Sequence, residues 1–189
     1  MIDEIKKEAL INNIPIIQDD SLKYICDILD KENINNILEI GSAVGYSAIM
    51  LSKYGTVDTV EISNIRYTKA VDNVFKCKLN DKIHIYNMDA LDYLKTIKDN
   101  SYDVIFIDAA KGQYMKFLNY AKKLVKVNGI IIADNILFKG RVMNGYNEHK
   151  HRTAVTRLRE YIKDTTSDIN FKTDIVDIGD GLAISRRIQ

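Results

Sequence analysis

Short apolar runs alternate with longer amphipathic stretches along most of this chain. The runs at 37–40 (ILEI), 56–62 (TVDTVEI), 82–86 (KIHIY), 102–107 (YDVIFI) and 129–133 (GIIIA) are rich in Ile and Val and predict strands. Two more strands are expected near 169–176 and 181–185. Helical spacing fills 44–54, 64–78, 90–98 and 112–126, residues 2–12 and 20–31 form helices before the first strand, and a helix at about 150–166 precedes the last two strands. Strands apolar on both faces and separated by helices imply a parallel sheet covered on both sides. The expected fold is α/β and doubly wound, a mostly parallel seven-stranded sheet with helices on both faces.

No repeat, low-complexity tract or Gly/Ser/Pro linker interrupts the pattern, and Pro15 is the one proline. The 189 residues therefore read as a single domain. Within it, 1–31 carries N-terminal helices, 36–135 a ligand-binding core, 136–168 a basic segment and 169–189 the closing strands.

Composition changes this picture little. Hydrophobic residues make up 46% and charged residues 28%, an ordinary globular balance, and a net charge of +1 announces no polyanion partner for the chain as a whole. Cys26 and Cys77 have no metal-like or redox spacing and suit a reducing compartment as small apolar fillers. MIDEIKKEALINN lacks the apolar core of a signal peptide, and no run approaches the ~20 apolar residues a membrane span needs. A cytoplasmic protein without a membrane partner is expected.

The candidate chemistry lies at the carboxyl ends of the strands, where open α/β sheets bind ligands. After the first strand comes LEIGSAVGYS, in which Gly41 and Gly45 permit a tight turn and close backbone approach. The spacing is G-x-x-x-G, not the G-x-G-x-x-G of a dinucleotide site. Glu61 closes the second strand, where a carboxylate can accept hydrogen bonds from ribose hydroxyls, and Asp89 in NMDA lies within reach of an adenine. Glu39, inside the first strand, needs a partner or a cationic ligand. Plain structural readings stand beside these: turn glycines, a solvated strand end at Glu61, and a helix N-cap at Asp89. A nucleoside with a positive centre and no pyrophosphate fits the set better than NAD, which points to S-adenosylmethionine.

Two apolar runs end abruptly in acid, VIFIDAAKG at Asp108 and IIIADNI at Asp134-Asn135, and Lys111 follows the first. Together LEIGSAVGYSAI, VEIS, NMDA, FIDAAKGQY, ADNILFKGRV and the late IGDGLAIS resemble the class I, metal-dependent O-methyltransferases related to catechol and caffeoyl-CoA methyltransferases. Within that family the motif order is most similar to the bacterial tRNA 5-hydroxyuridine methyltransferases. The resemblance implies a Rossmann-like methyltransferase fold and a divalent cation on Asp108, Asp134 and Asn135, with Lys111 beside it. It further implies cofactor contacts from Glu39, Gly41, Ser42, Gly45, Ser47, Glu61, Asp89, Ala90 and Asp108. Relatives often carry an additional N-terminal helix that helps them dimerise, so a homodimer is an open expectation here.

Three oxygen donors without His or Cys suit a hard ion such as Mg²⁺ or Mn²⁺. An open position on the ion can bind two vicinal oxygens of a substrate and orient one of them, leaving Asp108 and Lys111 as catalytic candidates, the lysine as general base. The plain alternative is that Asp108 caps the helix at 112–126 and Asp134-Asn135 merely turns the chain. A catechol and a 5-hydroxyuracil offer the same oxygen pair. The segment 139–163 is strongly basic, which favours a tRNA anticodon loop as substrate, with Lys139, Arg141, Arg152, Arg157 and the earlier Arg66 as RNA contacts and Tyr146 or Phe138 for stacking. A small-molecule catechol methyltransferase and a non-catalytic nucleotide-binding module are the competing readings.

Overall fold

A computed structural model describes residues 1–143 and 151–189. The described residues fall into two compact units, Met1–Thr96 and Ile97–Gln189.

The first unit opens with helices α1 (Ile2–Ile11) and α2 (Asp19–Leu29). Strands β1 (Asn36–Ile40), β2 (Thr56–Val60) and β3 (Ile83–Tyr86) follow, joined by α3 (Tyr46–Leu51) and α4 (Asn64–Lys76) and succeeded by α5 (Ala90–Leu94). The three strands pair in parallel, with Glu39 opposite Thr59 and Val60 opposite Tyr86. Helix α4 begins where the Ser63 hydroxyl accepts from the Arg66 amide, a side-chain cap, and buries Ala70, Asn73 and Val74 along one stripe. Asn73 is a polar member of that stripe because its Nδ2 donates to the Val44 carbonyl at 2.9 Å.

The second unit holds β4 (Tyr102–Ile107), a 3-10 turn at Lys111–Gln113, α6 (Tyr114–Leu124), β5 (Val125–Ala133), α7 (Arg152–Ser167), β6 (Phe171–Val176) and β7 (Leu182–Arg187). Tyr114, Phe117, Leu118, Ala121 and Leu124 recur at helical spacing and give α6 its buried face. Strands β4 and β5 pair in parallel, whereas β7 runs antiparallel to both β5 and β6. The sheet has seven strands, ordered β3-β2-β1 in the first unit and β4-β5-β7-β6 in the second. It is the mostly parallel α/β sheet that the alternation of runs predicts.

Four elements differ from expectation. Helix α5 ends at Leu94 rather than 98, and α3 is one and a half turns long rather than three. Strand β5 starts at Val125, four residues before GIIIA, because a register shift opposite Tyr102–Val104 absorbs the exposed residues 127–128. Strand β3, at one end of the order, exposes alternate positions instead of being apolar on both faces. No helix among the described residues is long and apolar enough to cross a membrane.

Candidate active site

In the first unit the chain leaves β1 through a loop that uses two left-handed glycines, Gly41 at φ 99° and Gly45 at φ 81°. Both amides at the start of the loop, Gly41 and Ser42, donate to the Val60 carbonyl at 3.0 and 3.3 Å. A Cβ on Gly45 would lie 3.3 Å from Ala70 Cβ, so the glycine also lets α4 approach. Ala43 between them is left-handed as well, at φ 45°, a strained conformation for a residue with a side chain.

Glu61 explains how that strain is held. Its buried carboxylate accepts from the Ala43 amide at 3.0 Å and from the Ser63 amide at 2.8 Å. The side chain at the end of β2 therefore fixes the loop after β1, and the solvated-strand-end reading does not apply. Glu39 is fully buried and takes a 2.6 Å hydrogen bond from Thr59 on the neighbouring strand. Thr59 is a contributor that the motif reading missed; the parallel register, which places it opposite Glu39, is the only signal for it. Asp89 does serve as the N-cap of α5, accepting from Leu91 and Asp92 amides at 2.8 and 3.4 Å through Oδ1, with Ala90 as the first helical residue. Ser47 is buried in the first turn of α3, and the buried Ser42 hydroxyl has no partner among the described residues.

In the second unit the two acidic motifs come together. Asp108 follows β4, and Asp134 and Asn135 follow β5, strands that are hydrogen-bonded neighbours. Asp134 is buried. Its Oδ1 accepts from the Asn135 amide at 2.7 Å, while Oδ2 has no partner among the described residues. Burial and then the charge of Asp108 push the Asp134 carboxyl up to about 7, against the pull of the Asn135 amide and Lys111. Burial likewise raises Asp108, with Lys111 pulling it back. The N-cap positions of the following 3-10 turn and helix are Ala110 and Gln113, so Asp108 is not the N-cap of either.

Lys111 opens the 3-10 turn, half-buried, and its ammonium donates to Asn135 Oδ1 at 3.1 Å. The same nitrogen lies 5.9 Å from the ring centroids of Tyr114 and Phe138. Tyr114 was not singled out by its sequence position, yet its hydroxyl donates to the Asp134 carbonyl at 2.9 Å and so helps fix the end of β5. Among the described residues no group of three or more His, Cys, Asp and Glu side chains forms a metal site. The donor set here is instead two carboxylates plus an amide oxygen. That set fits a hard divalent ion: the donors are all oxygen, one is orphaned and buried, and burial disfavours the charged form of both acids in spite of Lys111.

The proposed RNA contacts are less concentrated. Lys139, Arg152 and Arg157 are exposed in the second unit, but Arg157 pairs with Glu160 at 2.6 Å. The guanidinium of Arg141 lies 5.2 Å from the Phe138 centroid. Arg159 donates to the Val142 carbonyl at 3.0 Å and lies 3.4 Å from that of Arg141, which makes it a tie within the fold. Arg66 belongs to the first unit, exposed in the first turn of α4. Tyr146, offered for stacking, lies outside the described residues.

The O-methyltransferase family profile matches residues 2–188. This chain belongs to the O-methyltransferase family. A caffeoyl-CoA O-methyltransferase of Eucalyptus gunnii is 30% identical over 94% of the chain and 76% of its own length. Among solved structures, a putative caffeoyl-CoA O-methyltransferase from Staphylococcus aureus superposes with a TM-score of 0.92 at 31% identity, covering 98% of this chain and 91% of that one. An O-methyltransferase from Bacillus cereus in complex with SAH does so with a TM-score of 0.87 at 25% identity, covering 98% and 90%. As an O-methyltransferase of this family, the chain carries the activity class that its motifs imply. A placement nearest to the tRNA 5-hydroxyuridine methyltransferases does not follow from these relatives.

Proposed function

We propose that this O-methyltransferase transfers the methyl group of S-adenosylmethionine to one of two vicinal oxygens on a small catechol-type aromatic, with a divalent cation at the β4–β5 end. The observation that carries this reading is the buried, unpartnered Oδ2 of Asp134 beside Asp108, with Asn135 and the Lys111 ammonium in the same cluster. The glycine-hinged loop fastened by Glu61, with its orphaned Ser42 hydroxyl, supports a nucleoside-bearing donor on the other motif set. The caffeoyl-CoA names of the relatives support the small aromatic acceptor.

Asp108, Asp134 and the Asn135 amide oxygen would hold the cation, which when bound supplies charge that lowers the pKa of an acceptor hydroxyl. Lys111, released from Asn135 and having first given a proton to solvent, would as the neutral amine be the group of this cluster able to take that hydroxyl's proton. S-adenosylmethionine supplies a methyl on a positive sulfonium, and opposite charges cancel as an oxyanion takes it. The chain's contribution is therefore alignment and exclusion of water.

One observation favours a second acceptor, 5-hydroxyuridine in a tRNA anticodon loop: the exposed cations Lys139, Arg152, Arg157 and Lys163 gather in one stretch of the second unit. Two of the arginines there, Arg157 and Arg159, are already engaged by the fold, which leaves that face weaker than its sequence suggests.

Labelled S-adenosylmethionine offered with Mg²⁺ to a catechol-bearing acid and, separately, to tRNA containing 5-hydroxyuridine decides between them. Label in the catechol alone is the expected result. Label in tRNA alone, falling as salt rises, would replace it with the second reading. Undiminished transfer in excess chelator would remove the metal from either.

A further inference from the structure

The motif IGDGLAIS has no role in the site described so far, yet the turn it forms between β6 and β7 grips the loop that follows β5. That loop begins with Asn135 and runs through a backbone that side chains rarely adopt: Asn135, Phe138 and Lys139 have φ of 55°, 48° and 55°, and Gly140 has 72°. Three non-glycine residues in this region within five positions persist only where neighbours over-determine them. The neighbours are few and identifiable. The Ile136 amide donates to the Gly181 carbonyl at 3.0 Å, the Leu137 amide to the Asp180 carbonyl at 3.0 Å, and the Lys139 amide to the Asp180 carboxylate through Oδ1.

The approach is close enough to require glycine at the end of the turn. Gly181 has φ 89°, and a Cβ there would lie 2.3 Å from Leu137 Cγ. The turn is itself anchored, because Val176 and Leu182 pair across the β6–β7 hairpin and Ala183 pairs with Ala133 at the end of β5. Of these holds, two are backbone carbonyls that any sequence would offer. The Asp180 side chain is the one that depends on residue type, and it acts at Lys139, next to Phe138 and four residues from Asn135.

We propose that Asp180 is a positioning residue: by accepting from the Lys139 amide it keeps the 135–140 loop in its left-handed course, and so keeps Asn135 Oδ1 and the Phe138 ring beside Lys111. This rests on the cation reading of the cluster only in its second consequence, the affinity for the ion.

The test uses the full chain without ligand and compares Asp180→Ala with Asp180→Asn, whose side-chain oxygen can still accept from the amide. Hydrogen exchange is read over peptides covering 136–141, and Mn²⁺ affinity is read by the loss of the free-ion electron spin resonance signal. Asp180→Ala should raise exchange in those peptides at least tenfold, leave β4 and α6 peptides unchanged, and weaken Mn²⁺ binding about tenfold. Asp180→Asn should recover most of both. Unchanged exchange at 136–141 in the alanine variant overturns the proposal, as does a wild type that binds Mn²⁺ measurably but no more tightly than that variant does. A wild type that binds no Mn²⁺ counts against the metal reading alone, and the exchange result then decides the positioning role by itself. Should Asp180→Ala lose its native circular dichroism, the asparagine variant carries the same comparison: full protection supports the amide contact, and protection as low as in an unfolded peptide rules it out.

Discussion

Lys111 Nζ and Asn135 Oδ1 are joined by a 3.1 Å hydrogen bond between the turn after β4 and the loop after β5. The pair places a movable cation on an atom that a fixed cation would also claim. The proposed divalent ion would therefore have to displace Lys111 from that oxygen.

Replacing Lys111 with Met keeps the bulk of the stem and removes the amine. Methyl transfer should fall by ~10²–10⁴-fold, the usual range for loss of a general base. The dissociation constant for SAH, measured by calorimetry, should stay within about threefold. A comparable loss of SAH affinity would assign Lys111 to binding instead of proton transfer.

Asp134 gives the ligand-free protein an unusual pH response. Its carboxyl sits at about 7 in the fold, whereas an unfolded Asp titrates near ~3.9. Between those values the native state holds more protons than the unfolded one, so stability falls as pH rises through the window. Urea melts should show a loss on the order of 2 kcal/mol from pH 5 to pH 8 attributable to this residue, discounted from the full shift for relaxation around the charge. Asp134→Asn should flatten that slope and be the more stable protein at pH 8, while losing methyl transfer.

A divalent cation should act in the opposite sense on the wild type. At 100 times its dissociation constant, Mg²⁺ or Mn²⁺ stabilises by about 2.7 kcal/mol if it binds only the folded chain. Asp108→Asn should abolish that thermal shift. A full shift in the variant would place the ion elsewhere.

Tyr161 presents a fully buried hydroxyl with no partner among the described residues, its ring 5.9 Å from that of Tyr114 in an edge-to-face arrangement. Tyr161→Phe removes an unsatisfied group and keeps the ring contact. Its unfolding free energy should match or exceed that of the wild type, by up to about 1 kcal/mol. A clear loss would reveal an ordered water behind the hydroxyl.

Much of this architecture was legible in the sequence because its signals are local. Ile- and Val-rich runs name the strands, and acids placed at strand ends mark the candidate site, since a buried run that stops at a carboxylate needs a reason. The boundaries of α3 and α5 were less legible, because helical spacing continues past the residues at which tertiary packing ends the helix. Thr59, Tyr114 and Asp180 escaped notice for a different reason. Each acts through a contact to a residue at least seven positions away, set by sheet register or by a turn packed on a loop. The basic stretch erred the other way: a charge count cannot tell a free guanidinium from one already bonded to carbonyls, as Arg159 is.

Glu61 bridges amides on either side of the first two crossovers, one oxygen for Ala43 and the other for Ser63. Neither segment can gain or lose a residue without pulling the acid off its opposite number. Any descendant of this chain that reshapes one of them must change both in step, so insertions that diversify the protein are channelled away from this rim.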